Sequence, residues 1–131
     1  MSHFDDIYEL AVDNYGLVTT AQARDLGVTK AELSRWVASE RLERRGRGVY
    51  KLVRYVPTEL DPYAEAVALV GDGSFLTGES VLAMHGLALV NPRRLSVGTT
   101  GRIRKSIPDW ITPQTVKNKT TTQYEGIPSQ T

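Results

Sequence analysis

Residues 15–54 read YGLVTTAQARDLGVTKAELSRWVASERLERRGRGVYKLVR, and this stretch decides the fold. Thr19 is followed three residues later by Gln22, and Thr29 is followed at the same distance by Glu32. This spacing is typical of a capping box, in which a threonine side chain and a glutamine or glutamate side chain satisfy backbone N–H groups at the start of a helix. The stretch therefore predicts two short helices joined by a tight turn.

The second of these helices, predicted over 29–40, has two contrasting faces. Leu33, Trp36 and Val37 have the i, i+3, i+4 spacing of a buried stripe. The opposite face consists of Ala31, Ser34, Arg35 and Ala38, with Lys30 at its N-terminal end. Small side chains let a helix approach base edges in a DNA groove, where Ser, Lys and Arg form hydrogen bonds. An ordinary solvent-exposed surface explains the same residues, so this face alone leaves both interpretations open.

A basic hairpin is predicted directly after this helix. Its strands are 42–44 and 48–52, and the residues between them supply a tight turn in which Gly46 takes a positive φ. The arginines near the hairpin tip are Arg44, Arg45 and Arg47. Three arginines at one tip fit contact with DNA phosphates or insertion into a narrow minor groove.

The remaining hairpin residues complete the pattern. Val49 and Leu52 are interpreted as packing residues, and Tyr50 suits either packing or DNA contact. Helix, turn, helix and basic hairpin together are the layout of a winged helix-turn-helix, which indicates duplex DNA as the partner.

Charge is distributed unevenly along this chain of 131 residues, whose net charge is +1. Residues 24–54 hold nine basic and four acidic side chains, for a net charge of +5. Residues 1–23 carry four acids and no Lys or Arg, and they include an amphipathic helix predicted over 4–14. Residues 55–101 have a net charge of −3 and residues 102–131 a net charge of +3. A polyanion would therefore meet one or two local basic surfaces on a chain that is otherwise acidic.

Composition excludes several classes of protein. The chain has no cysteine, which rules out disulfides and thiolate zinc sites and agrees with a reducing cytoplasm. No run approaches the roughly 18 apolar residues that span a bilayer, and the first residues lack the pattern of a signal peptide. We therefore expect a cytoplasmic protein with no membrane partner, no bound metal and no cofactor.

The second half of the chain is predicted to form a small α/β unit. Asp61 is placed as the N-cap, and Pro62 in the first turn, of an apolar helix that ends at 71–73. Further expected elements are a helix over 77–85 that Gly86 ends, extended segments at 75–76, 95–99 and 107–116, a basic turn at 101–105 and a β-prone segment at 117–122. The fold class is therefore α+β, with a winged helix-turn-helix at 1–56 followed by the small α/β unit at 57–131.

The catalytic motifs in the sequence are incomplete. His85 lacks the i, i+4 partner of a helical metal pair, so a structural or helix-dipole role is preferred. The stretch 78–82 begins like a nucleophile elbow, but Leu82 stands where the closing glycine is required. The glycine-rich stretch 98–102 is not followed by Gly-Lys-Ser/Thr at phosphate-loop spacing and is interpreted as a turn. With no coherent catalytic set, we expect a protein that is not an enzyme.

Three blocks of the sequence carry a family resemblance. The first comprises YGLVTTAQA at 15–23, LGVT at 26–29 and RRGRGVY at 44–50; the second is LTGESVLAMHGL at 76–87, and the third is YEGIP at 124–128. Together they resemble the antitoxin side of the bacterial abortive-infection AbiE type IV toxin–antitoxin family. The resemblance implies a winged helix-turn-helix that regulates its own operon and a chain that counters a nucleotidyltransferase-like toxin.

The sequence departs from the pattern of this family at one point. In family members the Gly-Ile-Pro block is followed by a further helical region that is associated with neutralising the toxin. This sequence stops three residues after that block. Residues 57–131 are therefore interpreted as a truncated C-terminal antitoxin region, either because the chain is a truncated product or because it is a shortened relative of the family.

The function predicted from these observations is sequence-specific binding of double-stranded operator DNA by an autorepressing antitoxin. Helix 29–40 is expected to enter the major groove with its N-terminal end toward the bases, and the arginines of the hairpin to supply phosphate affinity. The residues expected to contact DNA are Thr29, Lys30, Ser34, Arg35, Arg44, Arg45, Arg47 and Lys51. Arg102, Arg104 and Lys105 either extend this footprint or form a solvated loop.

A second hypothesis belongs to a different class. The chain would be a protein-interaction antitoxin that neutralises a nucleotidyltransferase-like toxin, with the winged helix acting only as a scaffold. Its candidate surface is the acidic first helix or the unit from residue 57 on. A toxin pull-down without a DNA shift would favour this alternative.

Overall fold

The structure is a computed structural model that describes residues 3–71, 73–85, 95–100, 107–116 and 121–130. In chain order its elements are α1 (His3–Val12), β1 (Leu17–Thr19), α2 (Thr20–Asp25), α3 (Lys30–Ala38), β2 (Leu42–Gly46), β3 (Val49–Leu52), α4 (Asp61–Val70), β4 (Phe75–Leu76), α5 (Gly78–Met84), β5 (Leu95–Thr99), β6 (Ile111–Thr115), β7 (Thr121–Tyr124) and β8 (Ile127–Gln130). The predicted α+β class is confirmed. The chain divides into two compact units, unit 1 at Met1–Glu59 and unit 2 at Leu60–Thr131.

Both predicted capping boxes of unit 1 are present. Thr19 Oγ1 accepts from the N–H of Gln22 at 3.1 Å, and the N–H of Thr19 donates to Gln22 Oε1 at 2.9 Å. At the start of α3, Thr29 Oγ1 accepts from the N–H of Glu32 at 3.1 Å, and the Thr29 N–H donates to Glu32 Oε1 at 3.2 Å. Both threonines are extended, as an N-cap requires, so each helix begins at the predicted residue.

The strands of unit 1 form an antiparallel sheet in the order β1-β3-β2. Strand β1 was not predicted, because the only role that the sequence indicates within residues 17–19 is the capping of the next helix by Thr19. Its pairing partner lies some thirty residues away, with Leu17 opposite Lys51 and Thr19 opposite Val49. A three-residue strand of this kind is specified by long-range pairing and gives little local signal.

The turn of the basic hairpin differs from its prediction. Gly46 lies in β2, where it pairs with Val49, and it does not have a positive φ. Gly48 takes the left-handed conformation instead, with a φ of +74°. The register shifts between Arg44 and Gly46, which leaves Arg45 as the extra residue of a β-bulge. The hairpin loop therefore lies one to two residues later than the sequence suggested.

The core of unit 1 joins all three helices to the sheet. Its buried members are Ile7, Ala11, Val18, Ala23, Val28, Leu33, Leu42 and Leu52. Tyr55 packs against this cluster and lies over the turn after α1. Gly16 in that turn has a φ of +77°, and a Cβ at this position would lie 2.8 Å from Cγ of Tyr55. Both its conformation and the approach of the ring require glycine here.

Unit 2 contains a mixed sheet with the strand order β6-β5-β4-β8-β7 among the described residues. Strand β5 runs parallel to β6, and β4 runs parallel to β8. The predicted extended segments at 75–76 and 95–99 are confirmed as β4 and β5. Strand β8 was not predicted. It follows a two-residue turn in which Glu125 and Gly126 have φ values of +50° and +81°, the pattern of a type I′ hairpin turn.

The start of α4 corrects one predicted role. Asp61 was expected to be the N-cap, but the N-cap is Leu60, which makes no side-chain capping hydrogen bond. The Leu60 carbonyl accepts from the N–H groups of Tyr63 and Ala64 at 3.1 and 3.2 Å, so the helix begins one residue earlier than predicted. Asp61 is buried in the first turn, and Pro62 occupies the first turn as expected.

Some predictions concern residues outside the described part of the chain. These are the helix stop at Gly86, the basic turn at 101–105 with Arg102, Arg104 and Lys105, and the first residues of the β-prone segment, 117–120.

Candidate nucleic-acid interface

Helix α3 presents one buried and one exposed face, as its sequence predicts. Leu33 is fully buried, and Trp36 and Val37 pack against the core of unit 1. The exposed residues on and next to the other face are Thr29, Lys30, Ala31, Ser34, Arg35 and Ala38. Lys30, Ser34 and Arg35, the candidates for contact with base edges, therefore all lie on the solvent side of one short helix. A helix of this kind fits a major groove about 12 Å wide.

Aromatic contacts fix α3 against α1. The rings of Phe4 and Trp36 meet edge to face, with centroids 5.3 Å apart and planes at 70°. The guanidinium carbon of Arg41, in the connection between α3 and β2, lies 5.1 Å from the centroid of the Phe4 ring. Through these two contacts, Phe4 of α1 packs against both α3 and the residue that precedes β2.

A polar contact secures the N-terminal end of the same helix. Nδ1 of His3 lies 2.8 Å from Oε2 of Glu32, so the ring of α1 donates to the capping-box carboxylate of α3. This hydrogen bond and the one from the Thr29 N–H lower the pKa of Glu32 below its ordinary value of 4.5. The ionised carboxylate therefore stabilises the folded state.

We expect the stabilisation of the folded state by the ionised Glu32 carboxylate to be lost at acidic pH. Because the pKa of Glu32 is lower in the folded state, its stabilisation is complete above the ordinary value of 4.5 and is lost as the pH falls through the folded pKa. The variant Glu32→Gln keeps a side-chain oxygen for the capping box but cannot ionise. The difference in melting temperature between wild type and variant should therefore shrink between about pH 5 and pH 3. A constant difference across that range would contradict the prediction.

The basic hairpin carries exposed arginines in three different settings. Arg44 lies opposite Tyr50 near the end of the paired strands, and Arg47 lies in the loop. Arg45, in the bulge, donates from Nη1 to Oε1 of Glu43 at 3.1 Å. Lys51 is half-buried in the central strand. Tyr50 is partly buried against the core, which favours its packing role.

The loop of the hairpin is anchored to the start of α2. The N–H of Thr20 donates to the carbonyl of Gly48 at 2.9 Å, and a Cβ at Gly48 would lie 3.4 Å from the Thr20 hydroxyl. Because Thr20 is the first residue of α2, the arginine-bearing loop is held beside the start of α2. The loop and both capped helices belong to unit 1.

A cleft of about 460 Å³ opens at the turn between α2 and α3. It is lined by Thr20, Arg24, Gly27, Val28, Thr29 and Lys30. Thr29 and Lys30 were predicted site residues, whereas Thr20 and Arg24 were not. The sequence did not indicate Thr20 and Arg24, because their place in the cleft depends on how α2 and α3 are arranged in space. Two cations and two hydroxyl groups around one cleft can bind an anion such as a phosphate.

The features that suggested other chemistry have structural roles. His85 is the C-cap of α5, and its ring lies 4.2 Å from that of Tyr124, centroid to centroid. The described ranges contain no group of three His, Asp or Glu side chains that could hold a metal ion. The same residues include no helix with the length and apolar content needed to cross a membrane.

Comparison with known proteins bears on unit 1. A search of curated proteins gave no match to this chain. A family model described as transcriptional regulator, AbiEi antitoxin, matches residues 5–53, from the first turn of α1 to the residue after β3. The helices and strands in this range fit a winged-helix-turn-helix-like region. The family resemblance seen in the sequence is thus confirmed for the N-terminal region, which matches the AbiEi antitoxin family of transcriptional regulators over residues 5–53.

Proposed function

We propose that the chain is a sequence-specific DNA-binding regulator that represses its own operon as the antitoxin of a type IV toxin–antitoxin pair. The observation that carries this proposal is that unit 1 combines the exposed polar and basic face of α3 with an arginine-bearing loop that is hydrogen-bonded to α2. The family match to residues 5–53 supports the regulatory role. Such a regulator acts in the cytoplasm on double-stranded operator DNA, without a cofactor.

The proposed contacts follow from side-chain chemistry. In the major groove, Arg35 can bind a guanine through two hydrogen bonds, and Lys30 and Ser34 reach neighbouring base edges. The contacts proposed for the DNA backbone come from Thr29, Arg44, Arg45, Arg47 and Lys51. Arg24 joins them, because it lines the cleft with Lys30. Phosphate contacts set affinity and orientation, whereas the base contacts set the preferred sequence.

A mobility shift tests this function. The protein is titrated against its own upstream DNA and against random duplex, at two salt concentrations. We expect tight binding that is selective for the upstream sequence and weaker at the higher salt concentration. Equal, weak binding of both duplexes would count against the proposal.

We expect Arg35→Ala to reduce operator affinity by about 1–3 kcal/mol and to relax the preferred sequence, since it removes a contact to a base. Binding to random duplex should change much less. Arg54→Ala is the matched control, because Arg54 is also exposed but follows the hairpin strands at the end remote from the loop. Equal losses on operator and random DNA for Arg35→Ala would rule out base reading by this residue.

The second candidate function is direct binding of a nucleotidyltransferase-like toxin, with the winged helix as scaffold. One observation favours it: α1 exposes Tyr8 and Val12, one helical turn apart, with exposed fractions of 46% and 40%. Exposed Glu9 lies beside them, so this face is both apolar and acidic. This function would be supported if the protein co-purifies with the toxin but causes no mobility shift of DNA. If the Tyr8→Ala variant no longer co-purifies with the toxin, the exposed face of α1 is the toxin-binding surface.

A further inference from the structure

Glu43 lies among the cations of the basic hairpin. It is the one acidic residue between Leu42 and Leu52 in the sequence. Its Oε1 is 3.1 Å from Nη1 of Arg45, and its side chain is 59% exposed. On the neighbouring strand it lies directly opposite Lys51. Residues in direct cross-strand register share one face of the sheet, so Glu43 faces two of the proposed DNA-binding cations.

The hairpin cations are therefore not equivalent. Arg44 lies on the opposite face from Glu43, because successive residues of a strand alternate. Arg47 is in the loop, beyond the paired residues. Within the described part of the chain, neither Arg44 nor Arg47 forms an ion pair, whereas Arg45 does.

We propose that Glu43 is an electrostatic brake on polyanion binding by the hairpin, an inference that rests on the proposed DNA-binding function. A phosphate that approaches Arg45 has to replace the carboxylate as its partner. The same carboxylate repels the phosphates near Lys51. An exposed ion pair is weak enough to exchange readily, so Glu43 lowers the affinity without blocking the site.

The brake acts equally on all DNA sequences. Arg45 and Lys51 are proposed to contact phosphates, which carry no sequence information. Glu43 thus reduces binding to random DNA without reading the operator. A carboxylate that read a base would behave differently, since it would accept a hydrogen bond from a cytosine amino group and favour one sequence.

The test compares Glu43→Gln with Glu9→Gln, which makes the same change in net charge on the exposed side of α1. Dissociation constants are measured on upstream DNA and on random duplex over a range of salt concentrations. We expect Glu43→Gln to bind both duplexes about two- to fivefold more tightly at low salt. The plot of log K against log salt concentration should also become steeper, by up to about one unit. Glu9→Gln should behave like wild type.

Two further measurements make the result decisive. In an Arg45→Ala background, the gain from Glu43→Gln should become smaller, because part of it comes from releasing Arg45. On heparin, a polyanion without bases, Glu43→Gln should elute at higher salt than wild type and Glu9→Gln. Unchanged affinity, or a loss confined to upstream DNA, would overturn the proposed brake. If no variant binds DNA selectively but Glu43→Gln still elutes later from heparin, the proposed function fails and the brake stands.

Discussion

Replacing Arg44, Arg45 and Arg47 together with alanine should make the salt dependence of DNA binding shallower by about two to three units on a plot of log K against log salt concentration. Each phosphate that a cation neutralises contributes about 0.9 to this slope. Arg45 already has Glu43 as a partner, so its share should be the smallest of the three. The measurement is fluorescence anisotropy with labelled upstream DNA and random duplex over a series of salt concentrations.

A triple lysine variant at the same positions is the control. Lysine keeps the charge and loses the planar guanidinium, so the slope should stay near that of wild type. If the lysine variant also loses slope, the arginines act through their hydrogen-bonding geometry. An unchanged slope in the alanine variant would show that the hairpin does not contact phosphates.

Leu33→Ala should lower the free energy of unfolding of unit 1 by about 2–5 kcal/mol, the range for removing a buried leucine side chain from a core. Leu33 is fully buried on α3, on the face opposite Arg35. The resulting cavity lies directly beneath the proposed recognition surface. We therefore expect selective DNA binding to weaken together with stability, which urea unfolding and the mobility shift would measure.

Leu26→Ala is the matched control for this substitution. Leu26 follows α2, and 40% of its surface is exposed, so the same loss of side chain should cost much less stability. If the two variants unfold at the same urea concentration, the core role of Leu33 is wrong.

The capping boxes could be predicted because each of their hydrogen bonds joins residues only three apart. Thr29 and Glu32 therefore define the start of α3 without any tertiary information. Strand β1 could not be predicted in the same way, since its residues are paired by a segment that comes after two further helices. The position of the positive φ was also missed. The sequence offers both Gly46 and Gly48, and the bulge at Arg45 decides between them.

In the candidate site, too, features set by neighbouring residues could be predicted, whereas features set by tertiary packing could not. The exposed face of α3 follows from helical periodicity, so Lys30, Ser34 and Arg35 could be placed from sequence alone. Arg24 was missed because its part in the cleft depends on the angle between two helices. The ion pair of Glu43 with Arg45 could have been anticipated, since residues two apart on a strand share a face.

The close approach of Tyr55 to Gly16 has a practical consequence for the design of a fragment that contains only unit 1. The family match ends at residue 53, and a fragment cut there would lack the Tyr55 ring that covers the turn after α1. Tyr55 also packs against the core cluster, so its removal would expose apolar surface to water. The shortest fragment of unit 1 that folds on its own should therefore extend at least through Tyr55.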